Sequence, residues 1–127
     1  VYVDEVLDHK MHSEHFTISE NTANTVNAQK DRGERIIALG TTSIRASESA
    51  YKTGLLQAGE FDTEIFIYPP YRFQVADALI TNFHTPRSTL LMLVCAFGGY
   101  ELIMHAYREA IRNNYRFYSY GDSMMIV

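Results

Sequence analysis

Two polar stretches, each following an apolar run, hold the side chains best suited to chemistry. Gly40–Ser43 joins a glycine to three hydroxyl residues directly after the apolar run 36–39. A glycine permits a sharp turn, and a helix that begins after it presents free N–H groups and a partial positive charge. Such a helix start binds anionic groups, and ligands of α/β folds bind beyond the strand ends. The sequence therefore predicts a small-molecule site formed by Gly40, Thr41, Thr42, Ser43, Arg45 and Glu48. The alternative is an ordinary helix cap in which Arg45 and Glu48 form an exposed ion pair.

The second stretch has the same design and lies at the end of the predicted strand 76–83. It contains Asn82, His84, Arg87 and Ser88. His84 is suited to acid or base chemistry because an imidazole titrates near neutral pH. If both apolar runs are parallel strands, the two stretches meet at one edge of the sheet. The alternative is that His84 only ends a strand and Arg87 is a solvated residue of the first helical turn.

A third candidate lies near the start of the chain. His12 and Glu14, with Ser13 between them, offer a base and a hydrogen-bonding neighbour. One alternative is a solvated turn, and another is a metal site formed by His9, His12 and His15. Three histidines without cysteine and without clear helical spacing are a weak metal pattern, so we predict no metal.

Aromatic side chains accompany polar ones in two further stretches. Tyr71 and Arg72 suit stacking on an unpaired RNA base, although Phe73 beside them suits core packing equally well. Tyr118 and Asp122 suit contact with a purine edge or a ribose. The alternative for Asp122 is a plain turn with Gly121.

The surrounding pattern predicts strands that alternate with helices, and hence an α/β fold with a largely parallel sheet and flanking helices. Because the run 36–39 is apolar on both sides, we expect helices on both faces of the sheet. A hydroxyl residue after Gly40 is expected to cap the following helix, and Thr85 to cap the next. Strands are predicted at 36–39, 63–68, 76–83 and 124–127. Helices are predicted from Ser19 or Asn21 to 32, from 40 to near 54–59, at 90–97 and at 102–112.

The composition fits one globular domain, because 46% of the 127 residues are apolar and 20% are charged. A net charge of −4 argues against a protein that coats nucleic acid without sequence preference, because such binding needs a basic surface. We expect no membrane anchor and no secretion signal, and the single Cys95 is expected to be a buried thiol of a reducing, cytoplasmic compartment. The first residue is Val1 rather than Met, so we expect a piece of a longer protein.

Six short stretches resemble one protein family in residues and in order. The family is that of the S-adenosylmethionine:tRNA ribosyltransferase-isomerases of queuosine biosynthesis. Six ordered blocks that cover nearly the whole chain are far more specific than a single motif. The chain departs from the family at Pro70, where many members have glycine, so the backbone before Tyr71 is expected to differ. The six blocks are Met11–Glu14, Gly40–Arg45, Ile67–Phe73, Asp77–His84, Ser88–Val94 and Tyr115–Asp122.

The resemblance implies a carboxy-terminal fragment, residues 1–127, of a larger α/β barrel-like catalytic domain, without the family's inserted β-barrel domain. It implies transfer of the ribosyl part of S-adenosylmethionine to the aminomethyl-deazaguanine base of tRNA, giving epoxyqueuosine with release of adenine and methionine. No metal is required. Together with the resemblance, the sequence predicts catalytic roles for His12, Glu14 and His84, and substrate contacts from Gly40, Thr41, Thr42, Ser43, Arg45, Glu48, Tyr71, Arg72, Asn82, Arg87, Ser88 and Asp122.

Two rival hypotheses stay open at this point. One is an α/β domain that binds a small molecule for another nucleotide chemistry, and the other is a non-catalytic module that positions RNA. We expect the full-length protein to be a monomer and the 127 residues alone to be inactive. Apolar area exposed by truncation favours self-association of the fragment.

Overall fold

The computed structural model describes residues 13–84, 88–118 and 121–127, and these form a mixed α/β fold built on three small sheets. Its first half supplies most of the short strands, and its second half supplies the longest helix, of 13 residues. The elements in chain order are β1 (Glu14–Ile18), α1 (Glu20–Asp31), β2 (Ile37–Leu39), α2 (Thr41–Ala50), β3 (Tyr51–Lys52), β4 (Leu55–Leu56), β5 (Gly59–Thr63), β6 (Ala78–Asn82), α3 (Thr89–Gly98), α4 (Tyr100–Arg112) and β7 (Ser123–Ile126).

The central sheet has the strand order β2-β6-β7, and β6 is its middle strand. β2 pairs with β6 in parallel, whereas β6 and β7 are antiparallel. The prediction of a largely parallel sheet is therefore wrong for the described strands, because the pairs β1–β5 and β3–β4 are antiparallel as well. The cause lies after β6. The chain bends by 118° between α3 and α4 and returns to the carboxyl end of β6, so β7 starts there and runs backwards.

Helices cover one face of this sheet in the described chain. Ala38 and Leu79 point into the main core, where they pack with side chains of α2, α3 and α4. On the other face Ile37 is 51% exposed, Leu39 is 72% exposed and Met125 is 54% exposed. The prediction that helices cover both faces is therefore wrong for the described residues. Ile37 and Leu39 of the apolar run 36–39 have no covering layer there.

The two helices of the second half follow from their sequence patterns. α3 is apolar on all sides and buries Leu91, Leu93, Val94 and Cys95, as its composition predicts. α4 is amphipathic and buries Ile103, Tyr107 and Ala110, which lie three or four residues apart on one stripe. Ser88 caps α3 by accepting a hydrogen bond from the Leu91 N–H at 3.1 Å. The predicted cap, Thr85, lies outside the described residues, and the N-cap position belongs to Ser88.

The first half forms a smaller layer with its own core. β1 pairs with β5 over five residues, and Ile18, Ala23, Ala50 and Leu56 pack together beneath them. The strand predicted at 63–68 is displaced, because β5 ends at Thr63 and residues 64–77 form no strand. Side chains of α2 bind the backbone of this segment instead, which removes the need for a sheet ladder.

No helix of the described ranges is by itself long and apolar enough to cross a bilayer. α3 and α4 reach the required length and composition only as a pair, which is sharply bent.

Candidate functional site

A cavity of about 370 Å³ lies at the carboxyl ends of the parallel strands β2 and β6. The Gly40 N–H donates to the Ile80 carbonyl at 2.8 Å, and this bond holds the turn after β2 beside β6. The volume falls within the range of about 300 to 1,000 Å³ typical of small-molecule sites. The cavity is lined by Gly40, Thr41, Thr42, Thr81, Asn82, His84, Ser88, Leu90 and Tyr118.

The start of α2 forms one wall of this cavity. Gly40 is the N-cap residue at φ 88°, a left-handed conformation that favours glycine, and no side chain caps the helix. The prediction of a capping hydroxyl is therefore wrong, because the Ser43 hydroxyl donates backwards to the Leu39 carbonyl at 2.9 Å. The first N–H groups of a helix have no intrahelical acceptors. An uncapped helix start on a cavity wall is suited to a carboxylate or another electron-rich group.

His84 also lines the cavity and is fixed at two points. Its Nε2 lies 2.9 Å from the Thr81 hydroxyl oxygen, and its backbone N–H donates to the Tyr107 hydroxyl at 2.8 Å. Burial lowers the pKa of His84, so the ring is neutral at pH 7. A neutral, positioned imidazole can offer a hydrogen bond or a lone pair to a bound ligand.

Arg45 and Glu48 lie on α2 but are not among the residues that line the cavity. Arg45 is buried, pairs with Glu14 and donates to the Ile65 carbonyl at 3.2 Å. The Glu48 carboxylate is also buried, and its oxygens accept hydrogen bonds from the segment 71–75 at 2.9 to 3.1 Å. In the structure these two charged residues tie α2 to β1 and to the segment 64–77. A ligand contact for either of them, or a catalytic role for Glu14, stays a prediction.

The aromatic segment after Pro70 is also held by Glu48. The Tyr71 hydroxyl donates to Glu48, burial raises the pKa of Tyr71, and its ring meets the edge of Phe73 at a centroid distance of 4.7 Å. Phe73 packs on the main core, as the alternative interpretation predicts, while Arg72 is exposed. The Pro69–Pro70 peptide is cis.

The remaining predicted residues lie in several places. Asn82 lines the cavity, and its amide donates to the Asp122 carbonyl at 3.3 Å. The Asp122 carboxylate accepts the Arg116 N–H at 2.6 Å, which is a turn contact. His12 and Arg87 lie outside the described residues.

The histidine cluster considered as a metal site is described only at His15, because His9 also lies outside the described ranges. His15 Nδ1 lies 2.8 Å from Asp62, and Nε2 lies 3.1 Å from Glu60. Within the ranges that the structure describes, no group of three or more His, Cys, Asp or Glu side chains is arranged to hold a metal ion.

Sequence reasoning missed two residues that shape the site, Thr81 and Tyr107. Thr81 lies on the core-facing side of β6, and a polar residue at such a position signals a buried hydrogen bond. Tyr107 fits the apolar stripe of α4 in the sequence, although a buried tyrosine hydroxyl also needs a partner. The partner in both cases is His84.

Comparisons with known proteins identify the family of the chain. The sequence matches the family described as queuosine biosynthesis protein over residues 1–126. It is 53% identical over 126 residues to an S-adenosylmethionine:tRNA ribosyltransferase-isomerase of Citrifermentans bemidjiense, and the match covers 99% of this chain and 37% of that relative. The fold is similar to a crystal structure of S-adenosylmethionine tRNA ribosyltransferase from Thermotoga maritima, with a TM-score of 0.81 and 45% sequence identity. That similarity covers 89% of this chain and 40% of the other. The chain thus spans less than half the length of these relatives.

Proposed function

Because this chain belongs to the queuosine biosynthesis protein family, we propose that it supplies part of the active site of an S-adenosylmethionine:tRNA ribosyltransferase-isomerase. The observation that carries this proposal is the cavity between the uncapped start of α2 and His84. It supplies an electropositive helix end suited to a carboxylate and a neutral imidazole suited to a hydrogen bond with a ribose or purine atom.

The proposed reaction uses the ribosyl part of S-adenosylmethionine. The sulfonium acidifies the neighbouring ribose carbon, a base removes its proton, and adenine departs. The aminomethyl nitrogen of the deazaguanine base in tRNA then attacks, and methionine leaves as the epoxide of epoxyqueuosine forms. This sequence requires a base, a donor for the departing adenine and groups that hold the ribose, and it requires no metal.

The cavity residues have distinct roles in this proposal. The first turn of α2, from Gly40 to Ser43, binds the methionine carboxylate or a ribose hydroxyl through its backbone N–H groups. Asn82 and Ser88 hold ribose hydroxyls at the end of β6 and the start of α3. His84 acts on the reacting sugar or on the adenine, with Tyr118 at the rim of the cavity.

The predicted residues that do not line the cavity are proposed to act from its surroundings. His12 and Glu14 are candidates for the base, and Arg87 adds positive charge near the start of α3. Exposed Arg72 is the candidate for contact with tRNA beside Tyr71. Arg45, Glu48 and Asp122 are proposed as outer substrate contacts.

The chain covers 37% of one relative and 40% of another, so the complete activity is assigned to a longer polypeptide. We propose that residues 1–127 are the carboxy-terminal part of an α/β barrel-like catalytic domain in a cytoplasmic, monomeric enzyme. The 127 residues alone are then inactive. The open sheet face with Ile37 and Leu39 favours self-association of the isolated chain.

The experiment measures adenine release by full-length protein incubated with S-adenosylmethionine and precursor tRNA. We expect His84→Gln to lower turnover by about 100-fold or more, since a positioned acid or base contributes about that much. His105→Gln is the matched control, because His105 is exposed on α4. Thr42→Ala keeps the backbone N–H but removes a side-chain hydroxyl from the cavity lining, so it is expected to weaken substrate binding. Thr25→Ala on the exposed side of α1 is its control.

The outcomes separate the rival functions. Absence of adenine release by the full-length protein would overturn the proposal in favour of another nucleotide chemistry. Normal adenine release with weakened tRNA binding in both cavity variants would indicate a module that only positions RNA.

A further inference from the structure

We propose that Tyr118 is a nucleobase-binding residue whose ring stacks on a purine-like base at the cavity. The adenine of S-adenosylmethionine and the deazaguanine base of tRNA both have a ring system of this kind. This role rests on the proposed function, because that function supplies both bases.

The backbone of Tyr118 has a conformation that disfavours tyrosine. Its φ is 73°, in the left-handed region that glycine adopts readily and bulky residues rarely do. The Tyr118 N–H donates to the Phe83 carbonyl at 2.9 Å, and the Tyr118 carbonyl accepts the Gly121 N–H at 2.9 Å. The Asp122 N–H donates to the Arg116 carbonyl at 2.7 Å, which closes the same loop. Because these bonds hold the chain in a form that suits glycine, the tyrosine side chain at this position needs another reason.

Packing in the core does not supply that reason. Tyr118 is 61% exposed, and its ring meets Phe117 in a T-shaped contact at a centroid distance of 6.5 Å. Tyr107, by contrast, is 3% exposed and belongs to the main core. Strained backbone positions are concentrated at active sites and ligand clamps. The exposed ring at a strained position therefore points to a ligand rather than to stability.

The place of Tyr118 at the cavity indicates the chemistry of that ligand. Its hydrogen bond to the Phe83 carbonyl places it beside the peptide that joins Phe83 to His84. Most of the cavity lining consists of hydroxyl and amide side chains, which suit the polar groups of a ribose. Leu90 and Tyr118 add apolar surface to this lining. Aromatic side chains bind nucleobases by stacking on their faces, so Tyr118 suits the base of a nucleoside ligand.

The test compares full-length native protein with three variants of Tyr118. Tyr118→Ala removes the ring, Tyr118→Phe keeps the ring without its hydroxyl, and Tyr118→Gly removes the ring and suits the left-handed backbone. Calorimetry measures binding of S-adenosylmethionine alone, and adenine release measures the KM for precursor tRNA. We expect Tyr118→Ala to weaken one of the two by about 5- to 150-fold, the effect of one lost base–aromatic stack.

The other variants distinguish stacking from a structural role. Tyr118→Phe should stay close to the native values, because the ring remains. Tyr118→Gly should lose as much binding as Tyr118→Ala without a lower melting temperature, since glycine relieves the strain. Tyr100→Ala is the matched control, because Tyr100 is 51% exposed at the start of α4 and is not among the residues that line the cavity. It should leave both measurements unchanged.

The two measurements identify the stacked base. Weaker binding of S-adenosylmethionine in the absence of tRNA assigns it to adenine, and a change confined to the KM for tRNA assigns it to the deazaguanine. Native values of both in Tyr118→Ala and Tyr118→Gly would overturn the stacking role, while adenine release by the native protein would preserve the proposed function. An equal loss in Tyr118→Phe would assign the effect to the hydroxyl and would also overturn stacking. If the native protein neither binds S-adenosylmethionine nor releases adenine, the proposed function and the stacking role are both refuted.

Discussion

Replacing Glu48 by alanine is expected to release the segment 71–75 from α2. The buried carboxylate accepts from three donors, the Tyr71 hydroxyl and the N–H groups of Gln74 and Val75, at 2.9 to 3.1 Å. An average hydrogen bond contributes about 1 kcal/mol, and a bond to a charged group contributes about 1.5 to 3 kcal/mol. Three bonds at the lower average already give a cost of about 3 kcal/mol, which corresponds to an opening equilibrium raised by about 100-fold or more.

Amide hydrogen exchange at Gln74 and Val75 measures this opening directly. Protection factors at these two amides should fall by about 100-fold or more in Glu48→Ala. Glu64→Ala is the matched control, because Glu64 is exposed, and its effect on stability should stay within about 0.5 kcal/mol. Unchanged exchange at both amides in Glu48→Ala would refute the reasoning. It would also make Glu48 a free carboxylate available to a substrate.

Three further changes have defined outcomes. Gly98→Ala places a Cβ 2.6 Å from the Ile103 side chain, so thermal unfolding should show a loss of about 1 to 3 kcal/mol, and an unchanged melting temperature would contradict the packing. The hydrogen bond to Asp62 raises the pKa of His15 above 6.5, so its contribution to stability is fully present below about pH 6.5 and is lost as pH rises through the folded pKa. An NMR titration that gave His15 an unshifted or lowered pKa would contradict this contact. Burial raises the pKa of Cys95 to about 11, so the native thiol should resist alkylation at pH 8 and react after unfolding, and rapid native alkylation would show that it is accessible.

The parts of the fold that depend on nearby residues could mostly be predicted from the sequence. The apolar composition of α3 predicted its burial, and the apolar stripe of α4 predicted the burial of Ile103, Tyr107 and Ala110, because both patterns follow from residues within a few turns. The same stripe included Leu102 and Ile111, which are exposed. The helix predicted to run from 40 to near 54–59 ends at Ala50, and strands β3 and β4 follow it. The direction of β7 could not be predicted in this way. It depends on where the chain arrives after two helices, and the bend between α3 and α4 determines that.

The candidate site was predicted in outline but not in its internal contacts. The turn after Gly40 and the residues around His84 were expected at one sheet edge, and the parallel pairing of β2 and β6 places them there. Arg45 and Glu48 have the residue types of ligand contacts. Their observed partners, Ile65 and the segment 71–75, lie 20 or more residues away, so sequence spacing could not reveal them.

The sequence by itself determined the family, the sharp turn at Gly40 and the short-range helix patterns, because these properties depend on residue types within a few positions of one another. Tertiary structure alone decided which polar groups face the cavity and which bind the protein's own backbone. The pairing of Thr81 with His84 shows the reason. The sequence places them three residues apart, but only the burial of Thr81 on β6 brings its hydroxyl against the imidazole, while Tyr107 from α4 holds the His84 backbone.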